Sequence, residues 1–356
     1  MRVLHLDTGR TRRGGQIQVA RLMRGLNEHR IEQFLAAPGK GPLRGDVAGI
    51  PVDFFDLPES NLGRILERNR LREKITSWGV DIIHAHDSHA HTLATFLKGA
   101  RSKPALVVTR RSVGKIGFGS KTKYVAYDIH FIAISEHIRE LLIAGGVVAE
   151  RITVIPSMIE PAAFSPETGS GSGSDRGIVN IISAGAFDRR KGYHDALAAL
   201  PALIEKHPGV HYVLYGDGPQ KKKLADYVKR QGLSASVDFP GWKYPLKDLN
   251  RADIFLSPSY QEGLNSSILE AMAAGVAVVA SDIPAHRELT VDGRCGLLFR
   301  PGDIPELVIR LSRLIEDKNL RQTLREAAWE RVRDFEAPRI VAGIADLYYK
   351  VVARHG

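Results

Sequence analysis

The hydrophobic residues of this chain form short, unbroken runs that alternate with longer segments of helical spacing. Between the first two runs, Val19, Leu22, Met23 and Leu26 follow the i, i+3, i+4, i+7 spacing of an amphipathic helix. Short apolar strands separated by helices, without strict alternation, predict a parallel sheet covered on both faces. In the first half we predict strands at residues 3–6, 34–37, 52–55, 82–86, 105–109, 131–134 and 152–155, and a basic surface helix at 62–78.

The pattern pauses after residue 160 and then starts again. Residues 168–175 form a Gly/Ser-rich stretch that predicts a flexible linker, and the sequence leaves open whether this stretch is native or engineered. The sequence therefore predicts an α/β protein with two doubly wound, Rossmann-like domains, residues 1–165 and 166–336, followed by a helix within residues 337–356. In the second half we predict strands at 180–184, 212–215, 237–239, 254–257, 276–280 and 296–299, and helices at 194–206, 220–231, 304–316 and 320–333.

Charge is distributed unevenly along the 356 residues, whose net charge is +10. Through residue 160, 24 Lys and Arg stand against 16 Asp and Glu, whereas the remainder has 26 against 24. A basic first half suits anionic phospholipid headgroups or a phosphorylated acceptor. Nucleic acid is disfavoured as a partner, because no helix-turn-helix, zinc-ligand or RNA-recognition pattern accompanies the charge. A solvated basic surface without a charged partner is the remaining alternative.

The cellular compartment is indicated by the cysteine content and by the hydrophobic runs. Cys295 is the single cysteine, so no internal disulfide can form, as is typical of a reducing cytoplasm. The first residues predict a strand and not a signal peptide, and no apolar run reaches membrane-spanning length. We expect a cytoplasmic protein, with peripheral attachment to the inner face of the cytoplasmic membrane as an alternative.

The segment from Glu262 to Gly275 carries the strongest functional signal. Glu262 and Glu270 lie eight residues apart across a predicted junction of loop and helix, between two strands. In a βαβ unit, the loop after the first strand lies at the edge where open α/β sheets bind ligands, and a helix N-terminus suits a phosphate. Two structural alternatives are a capping box formed by Ser267 and Glu270, and a solvated loop position for Glu262.

This segment resembles the Glu-x7-Glu motif of glycosyltransferase family 4, whose members are retaining enzymes of the GT-B fold. The similarity continues through residues 281–288 and 292–299. It implies two Rossmann-like domains facing a central cleft, the first for the acceptor and the second for the donor, with a C-terminal helix crossing back to the first. The reaction implied is metal-independent transfer of a sugar from a nucleoside diphosphate sugar, UDP or GDP, to a glycan or lipid-linked acceptor. Such reactions assemble cell-envelope polysaccharide, lipopolysaccharide or glycolipid, and no cofactor is expected.

The resemblance also implies roles for donor-binding residues. Glu262 and the N–H groups after it would hold the transferred sugar and distal phosphate, while Glu270 would hold the ribose. Lys191 matches a diphosphate-binding cation, but Ala186 stands where the family usually has arginine, so Arg189 or Arg190 is left to replace it; we favour Arg190. Further residues implied at the donor are Gly14 and Gly15 near the diphosphate, Trp242 near the base, and the amides of Gly263, Leu264 and Asn265.

Candidate chemistry in the first domain centres on histidines and arginines. Four histidines between residues 84 and 91 invite a metal hypothesis, which we disfavour because they fall on a strand and on the helix after it. His86 is the best candidate to contact sugar or acceptor hydroxyls, and with Lys191 and Glu262 completes the predicted catalytic set; the alternative is a histidine satisfied within the fold. Several relatives carry a histidine where this chain has Arg111. We expect Arg110 and Arg111 to bind an anionic acceptor or leaving phosphate; the alternative is a surface pair beside Lys115.

Other function classes remain to be separated by experiment. A sugar-nucleotide epimerase or hydrolase could have the same fold, and a non-enzymatic basic binding module could have the same charge. A nicotinamide enzyme is disfavoured because the glycines after the first strand lack the G-x-G-x-x-G spacing.

Overall fold

The computed structural model describes residues 1–98, 103–117, 119, 121–160, 177–242 and 246–354. The chain divides into two compact units, the first formed by Met1–Met158 with Ala337–Gly356 and the second by Ile159–Glu336. The Gly/Ser-rich stretch at 168–175 and the predicted boundary between residues 165 and 166 lie outside the described residues.

The first unit is built on a parallel sheet of seven strands in the order β3-β2-β1-β4-β5-β6-β7. Its strands are β1 (Arg2–Leu6), β2 (Glu32–Ala37), β3 (Val52–Asp56), β4 (Ile82–Ala85), β5 (Ala105–Arg110), β6 (Ile129–Ala133) and β7 (Ile152–Val154). Its helices are α1 (Gly14–Asn27), α2 (Pro42–Asp46), α3 (Asn61–Ser77), α4 (Ser88–Lys98), α5 (Lys121–Val125) and α6 (Glu136–Ala144), together with α14 (Ala337–Ala353).

The second unit is built on a parallel sheet of six strands in the order β10-β9-β8-β11-β12-β13. Its strands are β8 (Val179–Ala184), β9 (Val210–Tyr215), β10 (Val237–Gly241), β11 (Ile254–Ser257), β12 (Ala277–Ser281) and β13 (Leu297–Phe299). Its helices are α7 (Tyr193–Lys206), α8 (Lys221–Arg230), α9 (Leu246–Leu249), α10 (Ser266–Ala273), α11 (Pro284–Thr290), α12 (Ile304–Glu316) and α13 (Lys318–Val332).

Both sheets are of the covered, parallel type that the sequence predicts. Every residue of β4, β6 and β12 is buried, as expected for strands with helices on both faces. In each sheet the strand order reverses once, between β1 and β4 in the first unit and between β8 and β11 in the second. Ligands of open α/β sheets bind beyond the carboxyl ends of the strands at such a switch point. The two switch points therefore indicate where functional residues should be sought.

The last helix, α14, packs on α1 within the first unit. Ile344, Leu347 and Tyr348 share a buried cluster with Leu22 and Leu26. The approach is closest at Gly25 of α1, where a Cβ atom would lie 2.6 Å from Val341 Cγ2. A larger residue at this position would push the two helices apart. Within the described part of the chain, no helix combines the length and apolarity needed to cross a membrane.

Candidate active site

An ion pair spans the switch point of the second sheet. Lys191 ends a 3₁₀ turn, Arg189–Lys191, in the loop after β8, and Glu262 lies in the loop after β11. Lys191 Nζ and Glu262 Oε1 are 2.7 Å apart, and the two side chains are only 19% and 13% exposed. Ser259 Oγ donates a second hydrogen bond to the same oxygen, at 2.7 Å. Two residues that the sequence assigns to the donor are thus brought together by the topology.

The backbone around Lys191 holds this residue in place against the loop after β11. Gly192 has φ +64, and a Cβ atom on it would lie 2.0 Å from the carbonyl oxygen of Pro258 in the neighbouring loop. Tyr260 N donates to Arg190 O at 2.7 Å, so the loops after β8 and β11 are joined through their backbones. Only glycine fits this close approach, because any side chain would separate the loops that carry the ion pair.

Helix α10 begins beside Glu262 with an unusual backbone conformation. Asn265, the residue before the helix, has φ +82, which is uncommon for a residue other than glycine. Its side-chain amide donates to Ser257 Oγ at 2.8 Å and approaches His286 Nε2 at 3.0 Å. The side chain of Asn265 makes no capping hydrogen bond to α10, and Ser267 lies inside the first turn. The capping-box alternative for Ser267 and Glu270 is therefore wrong, because Ser267 is not the cap residue.

His286, on α11, fixes the amide of Asn265, a role that the sequence does not predict. Its Nδ1 lies 2.8 Å from Ser281 O, a carbonyl that can only accept, so Nδ1 carries the proton. Burial lowers the pKa of His286 to about 4, which keeps the ring neutral at pH 7. Nε2 then has a lone pair to accept from the Asn265 amide. His286 lies within the stretch that resembles the family, but local sequence does not distinguish it from an ordinary helix residue.

The other residues predicted to bind the donor substrate differ in solvent exposure and in the contacts they already make. Arg190 is largely exposed and pairs with Asp188 at 3.0 Å, so part of its guanidinium is already engaged. Trp242 directly follows β10 and is 51% exposed, whereas Glu270 on α10 is 7% exposed. Gly263 and Leu264 lie in the loop between Glu262 and α10. Contact of these residues with a nucleotide stays a prediction.

In the first unit, Gly14 and Gly15 are the first two residues of α1, so they form a helix start and not a separate turn. The side chain of the residue before the helix, Arg13, makes no capping hydrogen bond. A Cβ atom on Gly15 would lie 3.9 Å from Arg111 Cδ, which places Arg111 beside the start of α1. The predicted diphosphate-facing role of the two glycines stays a prediction.

Arg110 and Arg111, predicted as a pair, have different surroundings. Arg110 donates to Ser112 O at 3.0 Å and also to Gly114 O and the Tyr124 hydroxyl, so its guanidinium holds its own loop. Arg111 is half-buried, and its Nε is fully buried without a partner among the described residues. Burial lowers the pKa of Arg111 to about 10, against the attraction of Asp7. Arg111 is therefore less exposed than its neighbour Lys115, and its binding to an anionic acceptor or leaving phosphate stays a prediction.

His86 belongs to a histidine cluster with His5 and His84 at the first switch point. His5 and His84 are paired residues of β1 and β4, and His86 directly follows β4. The potential ligand nitrogens of the three rings lie within 4.8 Å of one another, which raises the metal hypothesis again. Both ring nitrogens of His84 already have partners, however, in the Tyr348 hydroxyl at 2.5 Å and the Thr109 hydroxyl at 2.7 Å. The expectation of no metal stays a prediction.

Two further carboxylates, which the sequence does not single out, lie at the same edge. Asp87 accepts from the backbone N–H of Thr8 and of Ala90, at 2.6 and 2.9 Å, so it joins the end of β1 to the start of α4. Asp7 is buried near it. Burial and repulsion from Asp87 raise the pKa of Asp7 to about 6, although hydrogen bonds from Gly9 N and Gln16 oppose the shift.

Comparison with known proteins assigns the family. The model for "Glycosyltransferase Family 4" matches residues 12–163, and the model for "Glycosyl transferases group 1" matches residues 172–331. The chain belongs to glycosyltransferase family 4. This confirms the family predicted from the Glu262–Glu270 motif, and with it the assignment as a glycosyltransferase.

Relatives of this family 4 glycosyltransferase match along most of its length. The lipopolysaccharide core biosynthesis glycosyltransferase LpsE of Rhizobium meliloti is 25% identical over 342 residues, 93% of each chain. Phosphatidyl-myo-inositol mannosyltransferase of Mycolicibacterium smegmatis is 27% identical over 294 residues, which cover 79% of this chain and 74% of that one. The structure of Anabaena Alr3699/HepE with UDP-glucose has a TM-score of 0.83 at 22% identity and covers 98% of this chain and 100% of that one. The predicted GT-B fold with two Rossmann-like domains is confirmed.

Proposed function

We propose that this protein transfers one sugar from a nucleoside diphosphate sugar to a hydroxyl group of a glycan or lipid-linked acceptor, retaining the anomeric configuration and needing no metal ion. The observation that carries the proposal is the Lys191–Glu262 ion pair at the second switch point. An ammonium group suits diphosphate oxygens, and a carboxylate accepts hydrogen bonds from sugar hydroxyls. The pair therefore matches the two parts of a nucleotide sugar.

A UDP-sugar is the donor that we test first. Support comes from the HepE complex with UDP-glucose, whose fold covers 98% of this chain. GDP-sugars are the second choice. In either case the base would lie near Trp242 and the ribose near Glu270, while the Lys191 ammonium would contact the diphosphate.

The proposed reaction needs no basic or nucleophilic side chain. The bond between the anomeric carbon and the β-phosphate oxygen breaks, and the acceptor oxygen bonds to the same face of that carbon. The acceptor proton passes to the departing phosphate oxygen. Lys191 and the N-terminus of α10 would stabilise the charge that develops on the diphosphate. Glu262, which already accepts from Lys191 and Ser259, would hold sugar hydroxyls and form no covalent intermediate.

A thermal-shift panel of UDP-, GDP- and ADP-sugars tests the donor, because a ligand that binds only the folded state raises the melting temperature. We expect one nucleotide series to stabilise the protein selectively. Transfer is then followed by NMR of the anomeric proton, with and without EDTA. A product of inverted configuration would contradict the proposed retention. Loss of activity in EDTA would contradict the proposed independence of metal ions. Isomerisation or hydrolysis of the donor without an acceptor would instead indicate an epimerase or a hydrolase.

An exposed apolar and basic surface on α3 favours a lipid-linked acceptor. Leu62, Ile65 and Leu66 are 67%, 47% and 73% exposed, and their spacing places them on one face of the helix. The helix carries five Lys or Arg against two Glu. Because α3 follows β3, its first turn lies at the carboxyl edge of the sheet, the same edge as His86. An anionic bilayer fits this surface, since apolar side chains insert while cations attract the headgroups.

Vesicle sedimentation tests this surface. We expect binding to vesicles containing phosphatidylglycerol, little binding to pure phosphatidylcholine, and about a tenfold loss in the double variant Leu62→Ser, Leu66→Ser. The matched control is Ile309→Ser, because Ile309 is 61% exposed on α12 of the second unit. Equal binding by the double variant and the control would contradict the role of α3.

A further inference from the structure

A chain of hydrogen bonds runs through the histidine cluster and ends on an atom without a partner. Gln33 Nε2 lies 2.9 Å from Met23 O, and Gln33 Oε1 lies 3.2 Å from His5 Nε2. His5 Nδ1 in turn lies 3.0 Å from His86 Nε2. The last atom of the series, His86 Nδ1, is buried and has no hydrogen-bond partner among the described residues.

The direction of every hydrogen bond in this series follows from the first bond, between Gln33 and the carbonyl of Met23. The carbonyl of Met23 can only accept, so the Gln33 amide must direct its NH₂ group there and its oxygen toward His5. His5 Nε2 therefore carries a proton and donates to Gln33 Oε1. A neutral His5 then has a lone pair on Nδ1, so His86 Nε2 must be the donor of the next bond. A neutral His86 is left with a lone pair on Nδ1.

The surroundings keep both rings neutral. Burial lowers the pKa of His5 to about 4. Burial, followed by the neighbouring His84, His5 and Arg111, lowers the pKa of His86 well below its ordinary value. The directions of the bonds derived above therefore hold at neutral pH.

The geometry points to Gln33 and His5 as positioning residues that lock His86 in the Nε2–H tautomer, so that His86 Nδ1 accepts a hydrogen bond from a hydroxyl group of the bound sugar substrate. This inference rests on the proposed function and adds to it the chemistry that His86 recognises. A lone pair that lacks a partner in a buried place is unfavourable, and a ligand hydroxyl would satisfy it.

The orientation of His86 also determines what it excludes. An unprotonated nitrogen offers nothing to a phosphate oxygen or a carboxylate, which are acceptors themselves. The neighbouring Arg111 has the opposite property, because its buried Nε is a donor without a partner among the described residues. Together they offer one acceptor and one donor at the first switch point, a set that matches a hydroxyl-bearing ligand better than an anion alone.

Ring-¹⁵N NMR of histidine tests the tautomer without any substrate. We expect His86 Nδ1 to show the shift of an unprotonated nitrogen and Nε2 that of a protonated one; the signals are assigned by their loss in His86→Asn. Gln33→Met removes the acceptor that orients the chain, so we expect His86 to become a mixture of tautomers. The matched control, Thr153→Val, removes the 2.8 Å hydrogen bond of another buried histidine, His130, and should leave His86 unchanged. A protonated Nδ1 in the unmodified protein would overturn the inference.

Kinetics with deoxy-substrates test the hydroxyl. We expect one deoxy compound to lower kcat/KM about tenfold, the effect of one hydrogen bond. That penalty should disappear in His86→Leu and persist in part in His86→Asn, whose amide oxygen can replace Nδ1. Deoxy donors and deoxy acceptors, assayed separately, identify which substrate carries the hydroxyl. If every deoxy compound loses the same factor in His86→Leu as in the unmodified enzyme, His86 does not recognise a hydroxyl.

Two further outcomes distinguish this inference from a metal site and from a failure of the proposed function. Stoichiometric metal in the purified protein would overturn it, because a metal ion would take the ring lone pairs that the hydrogen-bond chain needs. Absence of transfer with any donor would refute the proposed function, while the NMR experiment would still decide the tautomer.

Discussion

The two switch points of this enzyme have the same topology and opposite chemistry. The second holds a carboxylate and an ammonium 2.7 Å apart, and the first holds three buried imidazoles with a half-buried arginine beside them. Fixed charges suit a diphosphate, while neutral nitrogens with set tautomers suit hydroxyl groups. One fold, used twice, can therefore bind two different ligand classes, because the chemistry depends on a few residues at the strand ends.

The most direct test of this difference between the two switch points is to remove the positive charge at the second one. We expect Lys191→Ala to lower kcat/KM about 10³-fold, about 4 kcal/mol, because the diphosphate loses its stabilising cation. The measurement is steady-state kinetics with the donor that the thermal-shift panel selects.

Lys222→Ala is the matched control for Lys191→Ala. Lys222 forms an ion pair of the same length, 2.7 Å, with Asp226, but its side chain is 87% exposed on α8. We expect its removal to leave the kinetics unchanged. Because Lys191→Ala leaves the largely buried Glu262 without its cation, melting temperatures of both variants must accompany the kinetics. Similar kinetics in the two variants would show that Lys191 is not at the donor.

The two sites also differ in how much of them the sequence reveals. Lys191 and Glu262 each belong to a short motif at the end of a strand, so local pattern and family resemblance select them. The histidine cluster is assembled across strands. Gln33 reaches His5 because residues 33 and 3 pair between β2 and β1, and that register is a tertiary property. The sequence predicts this strand from residue 34, whereas β2 begins at Glu32, so the pattern gives no signal for Gln33.

Element order and type were predictable for a physical reason. Strands covered on both faces need unbroken apolar runs, and long amphipathic helices such as α12 have bounds that follow from their spacing; the predicted 304–316 is Ile304–Glu316. The left-handed backbone of Asn265 and the fixed ring of His286 depend on neighbours distant in sequence, so no local pattern predicts them.

Lowering the pH should destabilise the first unit more than the second, because protonation of buried histidines is unfavourable in the folded state. Burial lowers the pKa of His286 in the second unit and of five histidines in the first, namely His5, His84, His86, His91 and His130. Below about pH 6.5 the unfolded chain binds protons at these positions that the folded state binds only at lower pH, about 4 for His5, His130 and His286, so stability falls as the pH falls through this window. Each pKa unit corresponds to about 1.4 kcal/mol.

Asp7 acts in the opposite direction in the same unit. Its folded pKa of about 6 lies above its ordinary value of 3.8, so its contribution to stability increases as the pH falls from 6 toward 4 and offsets about one histidine. We therefore expect hydrogen exchange, corrected for its intrinsic pH dependence, to show the first unit losing several kcal/mol more than the second between about pH 7 and pH 5. Asp7→Asn should steepen the loss. Equal losses in both units would contradict this balance.

A glycine substitution tests how tightly the loops of the second switch point are joined. Gly192→Ala would meet Pro258 O at 2.0 Å and has a positive φ of +64, so we expect about 2–3 kcal/mol of destabilisation and displacement of Lys191. Gly232→Ala is matched in backbone, with φ +68, but no atom lies within 4 Å of its Cβ position. We expect it to cost about 1 kcal/mol, from strain alone. Equal melting temperatures would show that the contact between the loops relaxes easily.

The smallest expected effect is at Asn265, where two substitutions distinguish the role of the backbone conformation from that of the side-chain amide. Asn265→Gly accepts φ +82 without strain but removes the amide held by Ser257 and His286, whereas Asn265→Ala removes the amide and adds strain of about 1 kcal/mol. We expect isothermal titration with the donor nucleotide to show about a tenfold weaker Kd for Ala than for Gly, because only glycine can still present the start of α10 correctly. If both variants weaken binding equally, the amide itself contacts the donor. If neither does, the conformation of this residue serves the fold alone, and the contrast between the two switch points rests on the Lys191–Glu262 pair.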